Sequence, residues 1–165
     1  MTSASPVFID TNILVYANLA LSPWHAQAVQ RLTALDAEGT SLWVSRQVLR
    51  EYLAAMTRPG ELTGTIPLPA LLNDVRYFAQ RFRVADESAP VTAQLLALLT
   101  EIPVAGRRVH DANIVATMLV YGVRRVLTHN TDDFVRFAAF IEVLPLVPPP
   151  APAPPPSACA AAPRQ

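Results

Sequence analysis

The chain has 165 residues, 52% of them hydrophobic, which suits one globular domain with a single buried core. Its 13 acidic and 13 basic side chains cancel, so no overall field draws in polyanions, and the absence of lysine excludes a P-loop nucleotide site. Cys159 is the only cysteine and no stretch approaches the ~18 apolar residues of a membrane span; a soluble, unprocessed, cytoplasmic protein without disulfides is expected.

In chain order, Val7-Phe8-Ile9 is a short apolar run of strand type. Ser22-Pro23 offers an N-cap and a proline at N1 for a helix from Trp24 to Glu38, which Gly39 ends. Leu42-Trp43-Val44 reads as a second strand. Ser45 caps the next helix, Ser45 to Thr57, with Pro59 beyond it, and its inward stripe is Val48, Leu49, Tyr52, Leu53 and Met56. Arg83-Val84-Ala85 follows as a strand and Ser88 as a further cap. A helix from Asp111 to Tyr121 ends at Gly122, and Val126-Leu127-Thr128 and Ile141-Glu142-Val143 complete the strands. Strands alternating with helices predict an α/β fold, with seven helices around a largely parallel sheet. From Leu144 onward the composition turns to proline and alanine, so the domain is placed at residues 1–146 and a disordered or polyproline tail at 147–165.

Acidic residues fall where such a sheet places its ligands, beyond the carboxyl ends of the strands. Asp10 follows the first strand directly, and His129-Asn130-Thr131-Asp132-Asp133 follows the fourth. Asp111 heads a helix face shared with Ile114, Val115 and Met118, which draws its carboxylate toward the interior. Glu51 lies at the margin of its helix's buried stripe, beside Val48, Ala54 and Ala55, while Arg46 and Arg50 point away. Taken singly, each acid also reads as a helix cap, a dipole partner or a surface residue. Taken together they form a set whose mutual repulsion a divalent cation would relieve, and all-oxygen ligands suit Mg²⁺ or Mn²⁺.

The segments Phe8-Ile9-Asp10-Thr11-Asn12-Ile13-Leu14-Val15-Tyr16, Glu51, His110-Asp111-Ala112 and Leu127-Thr128-His129-Asn130-Thr131-Asp132-Asp133-Phe134 resemble, in order and spacing, the PIN-domain nucleases. More narrowly they resemble the toxins of bacterial VapBC toxin-antitoxin modules. The resemblance implies a PIN-like, Rossmann-like three-layer α/β/α sandwich and Mg²⁺-dependent endoribonuclease activity. It further implies an RNA substrate, a homodimer and a cognate antitoxin that blocks the cleft, offering an arginine to the acids. Asp10 and Asp111 would be the main metal ligands, Glu51 would complete the set or position water, and Asn12 and Thr11 would orient Asp10. The fourth family acid falls at Asn130 in some members and just before Phe134 in others; Asp133 is taken here, with Asp132 as the alternative. Arg107 and Arg108, or Arg46 and Arg50, would hold RNA phosphates. His110 and His129 are read as packing or RNA-contacting residues rather than as bases. Leu19, Leu21 and Trp24 are candidates for the apolar part of the antitoxin interface, with core packing the favoured reading of Trp24.

Receiver domains and haloacid-dehalogenase-like phosphatases would want a site lysine, and an HD-type phosphohydrolase several metal histidines; neither requirement is met. The competing reading from another class is a noncatalytic PIN-like module that holds RNA or a protein. Its mark would be the loss of one essential carboxylate, and Asn130 is where that loss would show.

Overall fold

The computed structural model describes residues 5–60 and 66–148. Five parallel strands run in the order β3-β2-β1-β4-β5: β1 (Val7–Ile9), β2 (Leu42–Ser45), β3 (Arg83–Ala85), β4 (Arg125–Thr128) and β5 (Glu142–Pro145). Val7, Phe8 and Ile9 are all at most 1% exposed, as consecutive strand residues can be only if helices cover both sheet faces. That explains the unbroken apolar triplets of the sequence. The architecture is the expected α/β/α sandwich.

The flanking helices are α1 (Thr11–Asn18), α2 (His25–Ala37), α3 (Arg46–Met56), α4 (Leu68–Arg81), α5 (Ala89–Glu101), α6 (Arg108–Val120) and the single turn α7 (Thr131–Phe134), which a 3₁₀ turn extends through Phe137. The count of seven agrees with the sequence reading among the described residues. Val48, Leu49, Tyr52 and Met56 bury the inward face of α3, and Ile114, Val115 and Met118 that of α6. Gly39 and Gly122, at φ of 70° and 71°, let the chain reverse after α2 and α6, where Thr40 and Val123 donate back to the carbonyls of Leu35 and Met118 at 3.0 and 2.9 Å.

Boundaries differ from expectation in four places. The Ser22 hydroxyl accepts from the Trp24 amide at 3.2 Å in a local turn, and α2 starts at His25 without a side-chain cap. Ser45 does cap α3, accepting from Val48 N at 3.2 Å, whereas Ser88 makes no capping bond. Helix α6 starts at Arg108, which puts Asp111 in its first turn rather than at its head. Strand β5 begins at Glu142 and runs on to Pro145, so the first residues of the proline-rich stretch belong to the sheet. Of the apolar residues proposed for a partner, Leu19 is buried at 7% and Trp24 half-buried against His129, while Leu21 stays 73% exposed. The proposed tail lies, from residue 149 on, outside the described residues.

The chain lays down β1, β2 and β3 toward one side, then returns to place β4 and β5 on the other. The connections leaving β1 and β4 therefore diverge, opening a crevice at the carboxyl ends of these two central strands.

Candidate acidic active site

Asp10 is the residue after β1 and the N-cap of α1, and is buried at the carboxyl end of that strand at 7% exposure. Its Oδ1 accepts from Thr11 N at 2.7 Å; its Oδ2 accepts from the Thr128 hydroxyl at 2.6 Å and from Asn12 Nδ2 at 2.7 Å. These bonds favour the carboxylate. Desolvation nevertheless prevails and, with repulsion from Glu51 added, raises the carboxyl from 3.8 to about 6.

Glu51, on α3, accepts from the Thr11 hydroxyl at 3.0 Å and from Gln47 Nε2 at 2.7 Å. Thr11 thus donates to Asp10 through its backbone amide, while its side chain serves Glu51. Asp111, half-buried in the first turn of α6, is also raised to about 6, first by desolvation and then by repulsion from Asp133, Asp10 and Glu51. Asp133, Asp10 and Glu51 are thus all close enough to act on Asp111, and Glu51 on Asp10.

A cleft of about 900 Å³ opens over three of these acids, lined by Thr11, Glu51, Ala54, Ala55, Asp111, Asn130 and Asp133 on the acidic side, while the buried Asp10 is not part of its lining. Arg58, Arg107, Arg108 and His110 also line it. Arg107 and Arg108 are exposed and have no ion-pair partner among the described residues. Arg46 and Arg50 are instead tied to Asp86 and Glu87 at 2.8 and 2.7 Å, away from the cleft. His129 packs between Trp24 and Tyr16, with ring centroids 4.5 and 5.5 Å away. Asp132 faces a separate hollow with Val143 and Pro145. Asp133, one residue on, lines the cleft.

Two buried polar residues escaped the sequence reading. Thr128, fully buried, bonds Asp10, Asn12 and the Asn130 amide. It ends β4 beside the point where Asp10 ends β1, and this matched position was the available signal. Gln47, 5% exposed, lies four residues before Glu51 on the same helix face, the spacing at which helical side chains meet.

The donor set fits a hard divalent cation. Every candidate ligand is a carboxylate oxygen, and both raised carboxyls, shifted first by desolvation and then by neighbouring acids, would be relieved by a bound positive charge. Among the described residues no three His, Cys, Asp or Glu side chains are drawn into a ready-made cage. A hard divalent cation can be held by only one or two carboxylates when it keeps several of its waters.

The chain is 31% identical over 130 residues to Ribonuclease VapC24 of Mycobacterium tuberculosis, covering 78% of this chain and 89% of that one. Its fold matches the crystal structure of the sarcin-ricin-loop-cleaving toxin VapC20 of the same organism with a TM-score of 0.60, at 22% identity over 83% of this chain and 98% of that one. It matches VapBC2 of Rickettsia felis, bound to a promoter DNA fragment, equally well, at 0.60 and 19% identity over 84% and 97%. The PIN-domain family pattern covers residues 7–139, from the first strand through the turn after Asp133, and the chain belongs to the PIN-domain family.

Proposed function

We propose that the protein is a Mg²⁺-dependent endoribonuclease, with Mn²⁺ as a substitute, and the toxin of a toxin-antitoxin pair. The observation that carries this reading is the gathering of Asp10, Glu51 and Asp133 around Asp111, each near enough to repel it, at the switch point of the sheet. Relationship to a named ribonuclease at 31% identity supports RNA as the substrate. Likeness to VapBC complexes supports an antitoxin partner.

Asp10 and Asp111 are the residues that would hold the ion, with Glu51 and Asp133 beside them. A bound divalent cation supplies an activated water and stabilises charge on the phosphate and the leaving oxygen. The remaining work falls to the chain itself. Thr128, Asn12 and the Thr11 amide hold the Asp10 carboxylate in one orientation, and Thr11 and Gln47 hold Glu51. Arg107 and Arg108 draw the RNA backbone along the cleft wall. No protein nucleophile is needed, and the Thr11 hydroxyl is already engaged as a donor to Glu51.

A noncatalytic module would lack an essential acid. Asp133 in the cleft provides the fourth carboxylate that Asn130 does not, which favours the enzyme. Residues 1–146 are taken as the nuclease domain, acting as a homodimer in the cytoplasm; no helix among the described residues is long and apolar enough to cross a membrane. The test is cleavage of total RNA with and without Mg²⁺. Cutting that needs the ion and is lost in Asp10→Asn and Asp111→Asn supports the reading; wild-type turnover in either variant overturns it.

A further inference from the structure

A buried primary amide must satisfy its donors and acceptor inside the protein, because leaving one unpaired costs about 1–3 kcal/mol. Gln47 is such a group. Its Nε2 donates to Glu51 Oε1 at 2.7 Å and to the His110 carbonyl at 3.0 Å, and its Oε1 accepts from Asn113 Nδ2 at 2.7 Å. The orientation is forced. Turning the amide over would set its oxygen against a carboxylate and a carbonyl, and its nitrogen against another amide nitrogen.

His110 and Asn113 flank Asp111 on α6, and Glu51 is one turn along α3 from Gln47. Helix α3 packs mainly on α1 and α4, whereas α6 packs mainly on α5. Among the described residues, every hydrogen bond between α3 and α6 runs through Gln47. Thr11 ties one Glu51 oxygen to α1, and the Gln47 amide ties the other to the segment of α6 that carries Asp111.

The geometry points to Gln47 as a positioning residue that fixes the Glu51 carboxylate opposite Asp111 for ion binding; this rests on the metal-dependent reading above. A carboxylate at position 47 could not substitute, since it would remove both donors and bring another negative charge against Glu51. The Asn113 amide completes the device by locking the Gln47 amide from behind.

The test is calorimetric titration of metal-free protein with Mn²⁺, using the wild type, Gln47→Met, Asn113→Ala, and Gln47→Met combined with Glu51→Ala. Losing a residue that orients a ligand weakens ion binding by about 10- to 100-fold, so Gln47→Met is expected to raise the Kd at least about tenfold. In the Glu51→Ala background the same change should add less than about twofold, because Gln47 then has no carboxylate to place. RNA turnover should fall through kcat, with KM for RNA little changed. Asn113→Ala leaves the Gln47 side chain in place and covers the case in which Gln47→Met does not fold; a threefold or larger rise in Kd is expected there. Folded Gln47→Met binding Mn²⁺ as tightly as wild type, or losing as much without Glu51 as with it, overturns the proposal. If Gln47→Met does not fold, unchanged Mn²⁺ affinity in Asn113→Ala overturns it. A wild type that binds no Mn²⁺ overturns both this and the metal-dependent reading, so the two failures are told apart.

Discussion

Asp10→Asn should make the metal-free protein more stable while abolishing cleavage. Holding the Asp10 carboxyl at about 6, against 3.8 in an unfolded chain, corresponds to a penalty of ~3 kcal/mol on the folded state once the group is ionised. The sign follows from proton counting. Between these two values the folded state binds the extra proton, so stability falls as pH rises through the window and the penalty is complete above about pH 6. Asparagine carries no charge and escapes it, but Oδ2 now accepts from both Thr128 and Asn12, and an amide can replace only part of that pairing. The loss is about 1–2 kcal/mol. The net gain at pH 7.5 is then ~1–2 kcal/mol, or a Tm higher by roughly 2–6 °C for a domain of this size. Thermal melts followed by circular dichroism in EDTA, at pH 7.5 and pH 5, measure it. The advantage of the variant should shrink toward zero at pH 5, where the wild-type carboxyl is largely protonated. An Asp10→Asn protein that melts below wild type at pH 7.5, or differs from it equally at both pH values, would refute the claim that desolvation of the charge dominates at this residue.

Millimolar Mn²⁺ should raise the wild-type Tm by mass action, by about 2.7 kcal/mol of added stability at one hundred times Kd, and the rise should shrink in Asp111→Asn; an unchanged melt at pH 7.5 counts against a preformed site. Truncation after Val147 should leave Tm and cleavage unchanged, because β5 ends at Pro145 and Leu146, 4% exposed, is the last buried apolar residue described; a marked loss of either would show that the tail docks. Charge removal in Arg107→Gln with Arg108→Gln should raise KM for RNA and flatten its dependence on salt, with no change in Mn²⁺ affinity. Expression alone should arrest growth and co-expression of the neighbouring small gene should restore it. A harmless protein that copurifies with nothing from its own operon contradicts the toxin reading while leaving the nuclease reading standing.

The parts of the site legible in the sequence are those whose signal is local. Asp10 is visible because a strand covered on both faces must be an unbroken apolar run, and the first polar residue after it marks the carboxyl end. Asp111 is visible because its carboxylate shares a helix face with Ile114, Val115 and Met118, all at most 1% exposed. The choice between Asp132 and Asp133 was not legible: adjacent residues in one helical turn point about 100° apart, and only the docking of that turn decides which enters the cleft. Gln47 was hidden for a different reason. A glutamine in an amphipathic helix reads as a surface residue, and what makes it internal is an asparagine 66 positions later in the chain. The placement of Ser22 failed on competition between two nearby amides, since its hydroxyl satisfied Trp24 instead of opening α2.

Pro145 bears on how any partner can approach. In β5 the amides of Glu142 and Leu146 point to β4, donating to the carbonyls of Arg124 and Thr128 at 2.7 and 2.8 Å, so residues 143 and 145 direct their backbone nitrogens outward. Proline stands at one of these two positions and has no hydrogen to offer. Among the described residues this margin of the sheet therefore presents Val143 as its sole outward donor within the strand, and the opposite margin, β3, is three residues long. Neither rim is a workable template for an added strand from another chain. A partner chain that tried to extend the sheet would find few backbone donors on either rim, so side chains rather than main chain would have to carry such a contact.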